Sequence, residues 1–225
     1  MKIPQFPESN HELIRALSPL SDQTLVELFQ RHPDSGKYFT AIFCRYSPIV
    51  YTLIRHSAKS PVQADYLFAL TWRHILHELG GLEIPALSSA TPQQPAFSLQ
   101  NWLINITALC INQAVLPPVE SIHYSLAEAS PPLWCYIELA LDRLHPTQRL
   151  IVVMAQTFRW SETRIAAYLQ AEGERITPAQ VRSRRRRACQ ELEAALPEDI
   201  QEIYLASEPQ SEETAAESAD LMPAL

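Results

Sequence analysis

Five arginines fall within six residues near the end of the chain: Arg182, Arg184, Arg185, Arg186 and Arg187, interrupted only by Ser183. Guanidinium groups at this density suit the recognition of phosphates and base edges, because each presents a planar fork of donors. The run lies on a helix whose start is well specified. Thr177 can cap it, Pro178 suits the first helical position, where an amide has no partner, and Gln180 completes a T-x-x-Q capping box. A second helix, expected to start at Ser161, ends just upstream. Two such helices in succession are the sequence form of a helix-turn-helix, with the charge on the element that would enter a DNA groove.

Each residue turns a helix by about 100°, so the five arginines cannot all face one ligand. With Val181, Ala188 and Leu192 as the core stripe, extended by Leu196, residues Arg182, Ser183, Arg186 and Arg187 point outward and Gln180 points to one side. Arg185 falls close to the stripe and Arg184 borders it, which suits contacts with neighbouring helices. The expected roles are base edges for Arg182, Ser183 and Arg186 and phosphates for Arg184 and Arg187, with Thr177 and Gln180 at the approaching end. Three to four phosphate contacts predict a slope of roughly −3 in log K against log salt. The competing reading, a solvated basic face, is the usual fate of a charge run; the cap, the stripe and the upstream helix favour DNA.

The net charge of −7 argues against such a partner, but its distribution does not. Eight of the 25 acidic residues lie in 197–225, where there is no Lys or Arg, leaving 18 basic and 17 acidic groups in the rest. Within 139–196 there are 10 arginines and 6 acids. The acidic stretch invites a second idea, that Glu212, Glu213 and Glu217 cover the basic helix, set against the commoner reading of a solvated end.

Other chemistries find little support. The four glycines, Gly36, Gly80, Gly81 and Gly173, form no phosphate-cradling loop. Cys44, Cys110, Cys135 and Cys189 are widely spaced and read as free thiols in a reducing compartment. His74 and His77 lack further ligands at short spacing, so no metal is expected. No Ser/His/Asp set or carboxylate pair stands out, and neither an enzyme nor a cofactor is expected. With no signal-like segment and no run of about 20 apolar residues, the expectation is a cytoplasmic protein without a membrane partner.

The elements that must position these residues are helical throughout. Apolar residues recur at helical spacing through Leu25, Leu28 and Phe29, through Phe39 to Ile54 (with Pro48 expected to kink or restart that helix), through Phe68 to Leu79, and from Ser98 through Cys110. The expected fold is all-α, with two small helical domains. An N-terminal extension (1–20) precedes a first domain (21–115), which includes a Pro/Ser/Gln-rich loop at 84–96. A Pro-rich extended linker (116–133) leads to a second domain (134–196) with helices at 134–144, 146–158, 161–169 and 178–196. An acidic tail (197–225), disordered beyond Leu205, completes the chain.

The ordered motifs resemble those of bacterial RNA polymerase sigma factors of the sigma-70 superfamily, closest to the compact extracytoplasmic-function type. Leu144-His-Pro-Thr-Gln-Arg149, Trp160-Ser-Glu-Thr-Arg-Ile-Ala166 and Val181-Arg-Ser-Arg through Ala188 resemble the domain that reads the minus-thirty-five element. Asp22-Gln-Thr-Leu-Val-Glu-Leu-Phe29 and Phe43-Cys-Arg-Tyr-Ser-Pro-Ile-Val-Tyr51 resemble the family's first conserved helices. The resemblance implies polymerase-core docking through Asp65, Phe68, Trp72 and Arg73, from the motif Val62-Gln-Ala-Asp65 to Trp72-Arg73. It implies opening and reading of the minus-ten element by the segment Phe97-Ser-Leu-Gln-Asn-Trp102-Leu-Ile-Asn-Ile106, with Asn101, Trp102 and Asn105 as contacts. The implied partners are RNA polymerase core and promoter DNA, with an anti-sigma protein as a further partner class.

The chain departs from this pattern at three places. Ala64-Asp65-Tyr66-Leu67-Phe68 stands where the family carries an acidic pair and a Gln. Residues 97–115 contain no Lys or Arg, although unpaired strands are held by cations as well as rings. Ala171-Glu-Gly-Glu-Arg175 lengthens the turn before the basic helix. The upstream element is therefore expected to be read more strongly than the downstream one. A stand-alone helix-turn-helix regulator and a sigma-like adaptor or decoy are the alternatives.

Overall fold

The structure is a computed structural model that describes residues 4–83 and 98–206. Ten α-helices and no strand are present among the described residues. They are α1 (Glu12–Leu17), α2 (Asp22–Arg31), α3 (Lys37–Ser57), α4 (Pro61–Leu79), α5 (Leu99–Gln113), α6 (Pro131–Arg143), α7 (Pro146–Gln156), α8 (Glu162–Ala171), α9 (Pro178–Ala195) and α10 (Glu198–Tyr204). None of these helices is long and apolar enough to cross a membrane. The loop expected at 84–96 and the acidic residues 207–225 lie outside the described residues.

Local chemistry sets many of the helix starts. Ser21, Ser60, Ser98 and Ser161 each accept an amide from the third residue onward, and Pro61 occupies the first turn of α4. The start of α3 is different, because Gly36 carries no capping side chain. Asp199 of α10 supplies the acceptors from 163 residues away, taking the amides of Gly36 at 2.9 Å and Lys37 at 3.0 Å and the hydroxyl of Ser35 at 2.5 Å. Gly36 permits this approach, since a Cβ there would stand 2.9 Å from Tyr136 and run into Ile200.

Pro48 neither breaks nor restarts α3, which runs unbroken from Lys37 to Ser57. A mid-helix proline costs about 3 kcal/mol. The same helix buries Phe39, Ile42, Phe43, Tyr46, Val50 and Ile54, each contributing roughly 1.5–3 kcal/mol, so packing outweighs the lost backbone bond.

The main core spans the chain from Phe6 to Ile200. Phe6, in the expected N-terminal extension, meets Phe43 edge-on at 4.7 Å. The segment expected as an extended linker is built into this core. Its Pro117 carbonyl accepts from Gln63 at 3.1 Å, Val119–Ser121 form a 3-10 turn, and buried Tyr124 donates to the Ala129 carbonyl at 2.7 Å. Pro131 and Pro132 open α6 rather than end the linker, as prolines can in a first turn. Helix α6, expected in the second domain, packs along α4 and buries Leu133, Trp134, Cys135, Tyr136 and Ile137. A second, smaller core comprises Ile151, Met154, Ala155, Ile165, Ala166, Leu169, Ile176 and Val181. The two cores divide at α7, where Val152 joins the larger and Ile151 the smaller. The first part of the expected tail is also ordered: α10 buries Ile200 and Ile203.

Candidate nucleic-acid interface

Both cores position α9 across α7 and α8: Val181 packs in the smaller one, and Ala188, Leu192 and Leu196 pack in the larger. After α8 the chain turns at Gly173, whose φ of 92° places it in the left-handed region that glycine adopts freely. The Glu174 amide returns to the Leu169 carbonyl at 2.9 Å, and the Gln170 side chain donates to the Ile176 carbonyl at 2.6 Å. The lengthened turn is thus tied down, with Ile176 buried beneath it. The capping box forms as the sequence predicts: the Gln180 amide donates to Thr177 Oγ1 at 3.3 Å and the Thr177 amide to Gln180 Oε1 at 2.8 Å. Val181, Ala188 and Leu192 are buried along one stripe.

Arg182, Ser183, Arg184, Arg186 and Arg187 are exposed, and Arg185 is half-buried. Arg184, expected to border the core, lies outside it and reaches Glu174 at 3.2 Å. Arg182 holds Glu162 through Nε at 3.0 Å and Nη2 at 2.7 Å, with Arg185 on the same carboxylate at 3.8 Å. Arg187 reaches Glu191 at 2.7 Å. Arg186 makes no hydrogen bond or ion pair with the described residues. Hydrogen bonds from Arg182 hold the Glu162 carboxyl below its ordinary range, and Arg187 does the same to Glu191. Pairs this exposed are worth only about 0–1 kcal/mol. A competing anion can therefore displace these carboxylates at small cost.

Beside this helix lies a surface the residue spacing did not reveal. Phe158 and Tyr168 are 50% and 40% exposed. Phe158 meets His123 at 5.6 Å and Trp160 at 6.1 Å, and Trp160 meets Tyr168 at 5.9 Å. The Arg164 guanidinium lies 4.0 Å over the Trp160 ring. Arg159 has a φ of 52°, a conformation that costs a non-glycine residue roughly 1–2 kcal/mol. The Trp160 amide closes the turn onto the Met154 carbonyl at 3.1 Å. The only sequence signal was an aromatic and an arginine flanking each side of the Ser161 cap, which reads equally well as core.

The other predicted site residues lie in the main core or at its edge. Asn101 and Asn105 are exposed on α5, whereas Trp102 is half-buried against the core. Phe68 and Trp72 correct the docking expectation: both have no exposed surface, and they pack on each other and on Phe43 within the α3–α4 interface. The apolar stripe that contains them is the inward face of α4. Asp65 accepts from the Tyr51 hydroxyl at 2.9 Å, and burial raises its carboxyl above the ordinary range. Arg73 lies over Trp134 at 5.6 Å and pairs with Glu138 at 3.2 Å, both on α6. His74 and His77 line a cleft of about 760 Å³ between α4, α6 and α7, and no group of three metal-ligating side chains forms among the described residues.

No known protein family, curated protein or solved structure matches the chain.

Proposed function

We propose that the chain is a duplex DNA-binding protein acting in transcription initiation, in the manner of a divergent sigma factor. In this reading α8, the Gly173 turn and α9 form a helix-turn-helix, and α9 enters the major groove of an upstream promoter element. The observation that carries it is the outer face of α9. Arg182, Ser183, Arg186 and Arg187 project from a capped helix whose opposite stripe is fixed in a core. The role in initiation rests on the ordered sigma-like motifs, with polymerase core as the partner. The protein works by binding, so no catalytic residue is assigned.

A stand-alone regulator is favoured by one finding. Phe68 and Trp72 are internal, which removes two of the four residues that the resemblance assigns to docking. Reconstituted transcription with polymerase core separates the readings. Initiation from a selected promoter supports the sigma role. Promoter binding without initiation supports the regulator, and core binding without DNA binding supports an adaptor.

A further inference from the structure

We propose that the surface around the α7–α8 turn is a second nucleic-acid site, one that takes an unpaired strand. Bases stack on Phe158 and Tyr168, and Arg159 and Arg164 hold the phosphates. The proposal goes beyond the duplex reading of α9 and does not depend on it.

Three features carry it. First, the rings form a continuous row from His123 through Phe158 and Trp160 to Tyr168, at centroid separations of 5.6, 6.1 and 5.9 Å. Arg164 covers one face of Trp160, so the half-exposed rings of Phe158 and Tyr168 are the ones open to a ligand. Second, neither Arg159 nor Arg164 has an acidic partner among the described residues, whereas four of the five arginines in the α9 run do. Uncompensated cations beside open π-faces are the pairing that a single strand satisfies, with bases for the rings and phosphates for the guanidiniums. A duplex offers no such fit, because its bases already stack on each other. Third, α5, which the sequence nominates for the unpaired strand, has no cation and a half-buried Trp102.

The test uses the full chain and a fluorescein-labelled oligothymidylate of about twelve nucleotides, with fluorescence anisotropy at low salt and a short labelled duplex in parallel. The double variant Phe158→Ala/Tyr168→Ala should lose about tenfold or more in affinity for the single strand. It should keep duplex affinity within about twofold. Because both rings are half-exposed, circular dichroism should show an unchanged fold. Arg159→Gln/Arg164→Gln should flatten the single-strand salt slope by roughly 1 to 1.5. Conversely, Arg186→Ala/Arg187→Ala should weaken the duplex and spare the single strand. Failure of the native chain to bind the oligothymidylate overturns the proposal. Unchanged single-strand affinity in both surface variants also overturns it, and gives the rings to a protein partner. Loss of single-strand binding only in the α9 variant would assign both ligands to α9, again overturning it.

Discussion

Helices α5 and α9 are the two elements the sequence nominates for DNA, and they are built in opposite ways. Helix α9 buries a narrow stripe of Val181, Ala188 and Leu192 and leaves five arginines around it, four of them braced by carboxylates. Helix α5 buries Leu99, Leu103 and Thr107 and offers only neutral polar groups such as Asn101 and Asn105. Both expose polar side chains, yet only α9 carries the charge that displaces counterions, and that term dominates affinity for duplex DNA. The difference extends to their surroundings. Helices α4 and α5 pack within the larger core, whereas α9 bridges the two, with Val181 in the smaller core and Ala188 and Leu192 in the larger.

The sharpest way to break this contrast is to truncate a residue that would matter to either role. Trp72→Ala should destabilise the fold by about 3–5 kcal/mol, seen in chemical denaturation, because Trp72 is fully buried among Phe39, Phe43 and Phe68. A small stability effect with lost polymerase binding would return Trp72 to a contact role. Gly36→Ala should cost about 1–3 kcal/mol by forcing Ile200 and α10 away from α3. On the α9 side, Thr177→Ala removes a cap and should cost about 1 kcal/mol, with duplex affinity falling by less than for any outward arginine pair.

A pH series distinguishes the regions further. Burial raises the Glu8 carboxyl above its ordinary value of 4.5, and its Oε2 has no hydrogen-bond partner. The neutral form is therefore the one the fold prefers. This contribution is complete below about 4.5 and is lost as pH rises through the raised folded value. Glu8→Gln should stabilise the chain by up to about 1 kcal/mol at neutral pH and by nothing in acid, a difference that thermal melts across pH 4–8 would detect. Glu162 acts with the opposite sign. Arg182 lowers its carboxyl below 4.5, so its contribution is present above 4.5 and is lost as pH falls through the lowered value.

Much of this contrast was legible in the residues. The Thr177–Gln180 capping box, the Val181–Ala188–Leu192 stripe and the helical class follow from local chemistry and a 3.6-residue period, both of which survive folding unchanged. Contacts distant in sequence were not legible. Nothing near Asp199 marks it as the cap of α3, and nothing in the prolines at 117, 118, 131 and 132 shows that the segment between them packs into the core. Periodicity shows that Phe68 and Trp72 share a face but not whether that face looks inward. The α9 arginines were visible, whereas their acidic braces Glu162 and Glu174 depend on how α8 and its turn lie against α9.

Salt dependence of duplex binding, compared between two triple variants, tests the central claim most directly. For the native chain the slope of log K against log salt should be roughly −3. Replacing Arg184, Arg186 and Arg187 with Ala should flatten it to roughly −1, at about one unit for each of the two phosphate-holding arginines removed. Replacing Asn101, Trp102 and Asn105 with Ala should leave it unchanged. A slope that survives the arginine changes, or collapses with the α5 changes, would contradict the assignment of duplex affinity to α9.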